Sequence, residues 1–449
     1  MNSIFRKSPV GSSMKQDLYT LEGRPGLWRV LPFSIQQILA MFVSNLVPIG
    51  IIGAAASPAL SQAEILRLAQ GAMIAAGIAT FIQSTPIWKI GSGVPIFMGL
   101  SFTFIVPLSA VAAKYGYGGV IGTVLVGGVF EGLLGFTVRW WRRIVAPIVS
   151  ALVVTGIGLS LLSVAARSFG GGYVQDFGSL PNIVIGAVTL VTCLVWTVLT
   201  KGTAQQLSLL VGLAAGYVTA LCFGKVDFSG LSAGGIFSLP QLLPYTPVFR
   251  LDAIISICII YLVSATETLG DLSAVTNGAL HRPPTQREIT GVLTVDGFGS
   301  ALGGLFGVSP VTSYSENVGL TLMTGVVNRN VGRVGGILLI LGGFFPPIAN
   351  LMGTIPEPVI GGILLIVLGQ ILVSGFEMIA KVGFTPRNKL ITAITLSIAI
   401  GFTASTEVGI WDSFPVAIQS IFSQNVVAVI FVLALVLNLV LPKNMDTEE

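Results

Sequence analysis

Three carboxylates stand inside segments that are otherwise apolar: Glu267 and Asp271 in SICIIYLVSATETLGDLSAV, and Glu316 in GLFGVSPVTSYSENVGLTLM. An ionisable group inside a membrane span costs at least ~2.5 to 3.5 kcal/mol on insertion scales, so it persists where it faces a bundle interior or a wet cavity and handles an ion or a polar solute. Glu267 and Asp271 stand at i and i+4, one turn apart on one helix face. Two acids so placed, short of solvent and repelling each other, form a candidate proton carrier. For Asp271 a second role is open, a hydrogen bond to Ser or Thr that holds a helix in place. No nucleophile–base pair, metal constellation or phosphate loop accompanies these acids, so the pattern points to transport and argues against an enzyme or a bound cofactor.

The elements that position these acids must be membrane helices. The chain has 449 residues, 53% of them hydrophobic and 9% charged, with a mean hydropathy of +0.89, far more apolar than a soluble domain. Apolar runs long enough to cross ~30 Å of hydrocarbon recur from Trp28 almost to the C-terminus. The alternation of a membrane barrel is absent, so an all-α membrane protein is expected. Breaks between the runs define fourteen candidate spans, centred near Phe42, Ala76, Ser101, Leu125, Thr155, Val191, Gly212, Leu262, Gly299, Val318, Leu341, Leu365, Leu396 and Leu433. With both termini in the cytoplasm, 18 basic residues fall on the cytoplasmic side against five opposite, a strong positive-inside bias. The net charge of +4 is then a topology signal, and nucleic acid is not an expected partner. No h-region with a small-residue cleavage site opens the chain, so no cleavable signal peptide is expected. Cys193, Cys222 and Cys258 lack CxxC spacing and read as free thiols, with no metal site.

The longest segment outside the spans, about Lys225 to Arg250, divides seven spans from seven. An odd number per half makes the second half enter from the opposite side, the geometry of an inverted repeat. Corresponding positions hold a suitable pair of interrupted helices. Span three reads GSGVPIFMGLSFTFIVP and span ten reads GLFGVSPVTSYSENVGL, each broken by Gly and Pro around a Ser/Thr cluster. Unwound backbone at that depth must be buried in protein or line a cavity; the alternative is that Gly and Pro merely permit kinks and close packing.

Span ten also carries Glu316-Asn317-Val318-Gly319, four residues, then Thr324-Gly325. This resembles the signature of the nucleobase-ascorbate transporter family: Gln, Glu or Pro, then Asn-x-Gly-x-x-x-x-Thr-(Arg, Lys or Gly). Glu267-Thr268-Leu269-Gly270-Asp271 is similar to the family's ET-x-GD element, and Gly99-Leu100-Ser101-Phe102 matches in span three. The resemblance covers about Gly23 to Pro442. It implies fourteen segments in two inverted sevens, with residues 27–138 (spans one to four) and 252–352 (spans eight to eleven) forming a core domain. Residues 139–224 (spans five to seven) and 353–442 (spans twelve to fourteen) would form a gate domain. A cytoplasmic N-terminal segment 1–26, a connecting loop 225–251 and a cytoplasmic tail 443–449 complete the division. The resemblance further implies a homodimer and a substrate gripped at Glu267, Glu316, Phe102 and Ser315, with Asp271, Asn317, Ser101 and Gln37 in support and proton coupling.

The chemistry of the residues agrees. A xanthine or uracil ring presents an edge of alternating N–H donors and C=O acceptors, so a carboxylate can accept from it while main-chain N–H groups answer the carbonyls, and an aromatic such as Phe102 can cover the ring face. Asn317 reads better as an amide tying span ten to its neighbour than as a substrate contact. Gln37, in IQQILAMF, occupies a site where many family members have histidine, so any network served there must be built differently. His281 is the single histidine and lies in the loop HRPPTQRE. Glu131 is expected to ion-pair with the Arg139 cluster at the interface, and the RWWRR run from Arg139 to Arg143 to act as a cytoplasmic anchor with an aromatic belt. For Asp296, helix capping or a core hydrogen bond is expected.

The expected function is a proton-coupled nucleobase importer working by alternating access in the cell (inner) membrane, with sodium as the alternative ion. Thr268, Asp271 and Gly325 resemble the purine (xanthine and urate) branch, whereas Glu316 in place of Gln resembles the uracil branch; purine is preferred and uracil is the alternative. From another class, a sulfate-permease-like anion exchanger or channel shares the seven-plus-seven plan. An anion site, however, wants a cation or helix dipoles without two nearby carboxylates, and such proteins commonly carry a cytoplasmic C-terminal domain, whereas only seven residues follow Pro442.

Overall fold

Long apolar stretches fold into helices because a membrane leaves the backbone no other partner than itself. The structure, a computed structural model, describes residues 17–42, 44–141, 146–172, 175–201, 204–228, 235–404, 409–415, 418–419, 422–423, 425–442 and 445. Most of the N-terminal segment, nearly all of the tail, residues 229–234 of the connecting loop, and Arg142 and Arg143 of the RWWRR run lie outside the described residues.

In the first half α1 (Leu27–Met41), α2 (Val47–Ala55) and α3 (Gln62–Ser84) precede strand β1 (Met98–Leu100), followed by α4 (Ile105–Trp141), α5 (Pro147–Phe169), α6 (Leu180–Leu199) and α7 (Ser208–Cys222). In the second half α8 (Leu251–Gly278) and α9 (Gln286–Leu305) precede strand β2 (Val311–Ser313), followed by α10 (Ser315–Thr324), α11 (Arg329–Gly343), α12 (Pro346–Gly353), α13 (Glu357–Val382), α14 (Pro386–Ala399) and α15 (Val426–Val440). Among the described residues six helical stretches are long and apolar enough to cross a membrane, and α7 and α15 are shorter apolar helices. The chain is an integral, multi-pass membrane protein.

Several boundaries follow from local chemistry. Both α3 and α9 open on a capping box, Ser61 with Glu64 and Thr285 with Glu288, in which each partner satisfies a backbone N–H of the other's end. The expected first span, centred on Phe42, is divided: α1 stops at Met41 and α2 resumes at Val47. The continuous run of α4 is broken at Gly116, whose φ of 70° and ψ of 179° suit glycine and separate the half-helix after β1 from the next span. Outside the spans, a hydrogen bond from Lys225 holds the Asp176 carboxyl below its ordinary range and pins the loop after α5 to the end of α7.

Helix packing falls into two groups. In one, α3 lies against α11, α4 against α9, α1 against α11 and α8 against α4; in the other, α5 lies against α13, α6 against α7 and α13, and α15 against α5 and α14. The two strands meet antiparallel in the first group, with Met98 opposite Ser313, Gly99 opposite Thr312 and Leu100 opposite Val311.

Candidate functional site

An extended stretch buried at membrane depth leaves N–H and C=O groups unpaired, each at a cost of several kcal/mol. Helices around the two strands, and the turn between α1 and α2, supply the missing partners. Leu100 N–H donates to Asn45 Oδ1 at 2.7 Å and Met98 N–H to Thr80 Oγ1 at 2.9 Å. On the other strand Val311 N–H donates to Ser300 Oγ at 3.0 Å and Ser313 N–H to Asp296 Oδ1 at 2.9 Å. Main-chain bonds from Ser101 to Pro310 and from Tyr314 to Phe97, both 3.0 Å, extend the ladder at its ends. Past each strand the chain turns into a helix, so two helix starts, with N–H groups that lack intrahelical acceptors, meet at one place.

A cavity opens there. Ser101, Phe102 and Thr103 line it from the first broken segment, Ser313 to Glu316 from the second, Glu267 from α8, and Ile157 of α5 with Ile371 of α13 from the opposite wall. Glu267 and Glu316 are half-buried, as cavity-facing side chains should be. Thr103 Oγ1 donates to Glu267 Oε2 at 2.9 Å, which fixes the carboxylate at the cavity wall. Such a site holds two acceptors on separate elements, main-chain donors and an aromatic ring; it suits a small planar solute that both donates and accepts.

Asp271 stands one turn beyond Glu267 and does not line the cavity. Its carboxylate accepts from Ser313 Oγ at 2.5 Å and from Ser315 Oγ at 2.9 and 3.1 Å, clamping the second broken segment to α8. Behind it, Ser313 Oγ reaches Thr268 Oγ1 at 3.1 Å, and Thr268 donates to Asp296 Oδ2 at 2.8 Å. Of the two roles open for Asp296, the core hydrogen bond is the one present, in the middle of α9.

The structure thus brings Glu267, Glu316, Phe102, Ser315 and Ser101 to one cavity and puts Asp271 in contact with it through two serines. Gln37 and Asn317 face elsewhere. Asn317 Nδ2 donates to Gln37 O at 2.9 Å, and Gln37 Nε2 to Thr321 Oγ1 at 3.2 Å, so the two amides tie α10 to α1. His281 is exposed beyond the end of α8. Glu131 corrects an expectation: it is not an interfacial partner of Arg139 but is 0% exposed, facing α9. α4 runs on past Glu131 to Trp141, a further ~15 Å at 1.5 Å per residue, so the acid sits deep rather than at the helix end.

Sequence reasoning missed Thr103, Ser313 and the backbone partners Asn45, Thr80 and Ser300. The available signal was a polar residue in apolar surroundings, Asn45 in FVSNLVP, Thr80 in AGIATFI and Ser300 in GFGSALG.

Comparison with known proteins decides the family. A permease-family model (Xan_ur_permease) matches residues 29–408. A Clostridium perfringens chain with the provisional name purine permease is 32% identical over 435 residues, 96% of this chain and 95% of that one. The uric acid permease PucJ of Bacillus subtilis is 30% identical, covering 89% of this chain and 90% of its own, and the xanthine permease XanQ of Escherichia coli is 30% identical, covering 95% and 94%. The chain belongs to the nucleobase-ascorbate transporter family. It is a membrane transport protein and not an enzyme. Among solved structures, murine Slc26a9, an anion transporter in an inward-facing state, superposes with a TM-score of 0.61 at 10% identity over 98% of this chain and 72% of that chain. The transmembrane domain of the cyanobacterial bicarbonate transporter BicA does so at 0.54 and 16% identity, over 92% and 98%. At these identities the likeness speaks for the fold alone.

Proposed function

We propose that this member of the family imports a nucleobase, a purine such as xanthine or urate in preference to uracil, by proton-coupled alternating access. The observation that carries the reading is the convergence of Glu267, Glu316 and two helix starts on a cavity whose opposite wall, Ile157 and Ile371, is apolar. In this reading Glu267 accepts ring N–H groups, Glu316 reads the rest of the edge, main-chain groups at Phe102 and Ser315 answer the carbonyls, and the Phe102 ring covers the base. A ring that leaves any of these buried groups unpaired is disfavoured. Asp271, joined to the cavity by Ser313 and Ser315, links proton uptake to the position of the second broken segment, while Ser101, Asn317 and Gln37 support the segments.

The architecture we infer is fourteen segments in two inverted sevens. Support comes from contacts that occur in repeat-related pairs: α3 with α11 and α9 with α4, α1 with α11 and α8 with α4, and α6 with α7 and α14 with α15. The capping boxes that open α3 and α9 sit at equivalent places. Residues 27–138 and 252–352 form the core, residues 139–224 and 353–442 the gate, and rocking of the gate isoleucines Ile157 and Ile371 across the cavity exposes it to either side. A homodimer in the inner membrane with both termini cytoplasmic completes the proposal.

Glu316, where the purine branch has Gln, favours uracil as the second reading. Uptake of radiolabelled xanthine, urate, uracil, hypoxanthine and adenine into cells lacking their own carriers separates the two. Purine uptake that excess unlabelled uracil leaves intact supports the first; uracil uptake without purine uptake replaces it with the second.

A further inference from the structure

Glu131 has no assigned task, yet it is a carboxyl sealed inside the protein. It lies on α4 at 0% exposure, opposite Asp296 of α9, also at 0%. The two helices touch because glycine lines their crossing: a Cβ on Gly297 would stand 1.9 Å from Gly132 N and 2.6 Å from Gly128 O. Asp296 is richly served, accepting from Ser313 N–H, Thr268 Oγ1 and, at 3.5 Å, Ser264 Oγ. Glu131 is not: neither of its carboxyl oxygens has a hydrogen-bond donor. The groups facing it are the carboxyls of Asp296 and, farther off, Glu267, with the Ser264 hydroxyl nearby and the Tyr261 phenol on the same side. Tyr261 spends its hydrogen on Val124 O at 3.3 Å. The ion pairs Lys114–Asp252, Arg282–Glu288 and Arg329–Glu22 lie at helix ends, away from this pair.

Two buried carboxyls face to face with no cation between them are satisfied by one arrangement, a proton held between them. We propose that Glu131 and Asp296 form a proton-binding site behind the substrate cavity, where the coupled proton resides during the transport cycle. The inference rests on the proton-coupled reading given above. A path to the cavity is already laid out in hydroxyls. A proton arriving on Asp271 passes to Ser313 Oγ as Ser313 gives its own hydrogen to Thr268 Oγ1 and Thr268 gives its hydrogen to Asp296. Each O–H bond broken is replaced by one formed, Asp271 returns to its charged state, and one proton has moved from the cavity rim to the acid pair. Because Asp296 also holds the N–H of Ser313, a change in its charge is felt directly by the second broken segment.

Glu131→Gln tests this, since the amide still donates to Asp296 and preserves the packing but has no proton to release. Wild type and variant are reconstituted in proteoliposomes and compared in accumulation of radiolabelled xanthine under an outside-acid pH gradient and in xanthine exchange at equal pH. The expected result is exchange within about twofold of wild type and an accumulation ratio that falls to unity. A variant that concentrates xanthine as well as wild type overturns the site. A wild type that exchanges xanthine but ignores the pH gradient instead removes the proton-coupled reading, so the two failures are distinct. If the variant does not fold, infrared difference spectra of wild type, Glu267→Gln, Glu316→Gln and Asp271→Asn with and without saturating xanthine decide: a neutral-carboxyl C=O band that responds to xanthine in all four supports the pair, and its absence overturns it.

Discussion

Replacing Glu267 by Gln removes a charge without changing the shape of the side chain. In the native site one oxygen of this cavity-lining carboxylate accepts the Thr103 hydroxyl at 2.9 Å, and in the proposed reading the other serves the substrate. Gln has a single acceptor oxygen. If that oxygen keeps Thr103, an N–H₂ group points at the ring N–H of the substrate, and two donors oppose each other. If the amide flips, the substrate is served but the Thr103 hydroxyl loses its acceptor. Either way one charge-assisted hydrogen bond is lost, worth about 1.5 to 3 kcal/mol, which is roughly a 10- to 100-fold rise in Kd. Thr103→Val is the companion variant: it leaves the carboxylate charged and costs only its tether, so its loss of affinity should be the smaller. The assay is calorimetric titration of purified protein with xanthine, with thermal unfolding as the control for folding. Wild-type affinity in folded Glu267→Gln would refute the assignment of this carboxylate to the substrate.

Glu316→Gln should cost less than Glu267→Gln and shift preference toward xanthine-like rings, because an amide offers one acceptor and one donor where a carboxylate only accepts; competition uptake that ranks purines and pyrimidines as before would make the residue structural. Asp271→Asn cuts the link between the cavity rim and Asp296, so uptake should lose its response to a pH gradient while some equilibrium exchange remains. Retained gradient-driven accumulation in this variant counts against Asp271 as part of the coupling path. Gly297→Ala forces α4 and α9 apart where a Cβ would meet Gly132 N at 1.9 Å. Overpacking of this kind typically costs 1 to 3 kcal/mol, about 1 to 3 kcal/mol here too, read as a lowered unfolding temperature in detergent; an unchanged unfolding temperature would mean the crossing can relax.

Much of this arrangement could be read from the chain. Glu316, Phe102 and Ser315 reach the cavity because they sit beside backbone breaks that Gly and Pro announce, and Glu267 reaches it from the unbroken helix α8. The partners of the broken backbone were harder to see. Asn45 lies in the turn between α1 and α2, Thr80 on α3 and Ser300 on α9, and which strand N–H each one meets depends on tertiary register that no local pattern encodes. Glu131 misled for a related reason. Its sequence distance from Arg139 suggested the interface, but α4 runs on from it to Trp141 and a glycine-lined crossing buries it against Asp296. Asn317 sits in the signature yet binds the segment that carries Gln37, since consecutive residues at a helix start point in different directions and only some of them can face the cavity.

The central claim is carriage of a purine in step with a proton, and uptake into proteoliposomes with imposed ion gradients tests it most directly. With purified wild-type protein, labelled xanthine should accumulate above its external concentration when the outside is acidic, stop doing so when a protonophore is added, and show no dependence on a sodium gradient. Accumulation driven by sodium alone, with the pH gradient without effect, would contradict proton coupling and turn the carboxylates into a sodium site. Entry of no nucleobase under any gradient would contradict the account as a whole.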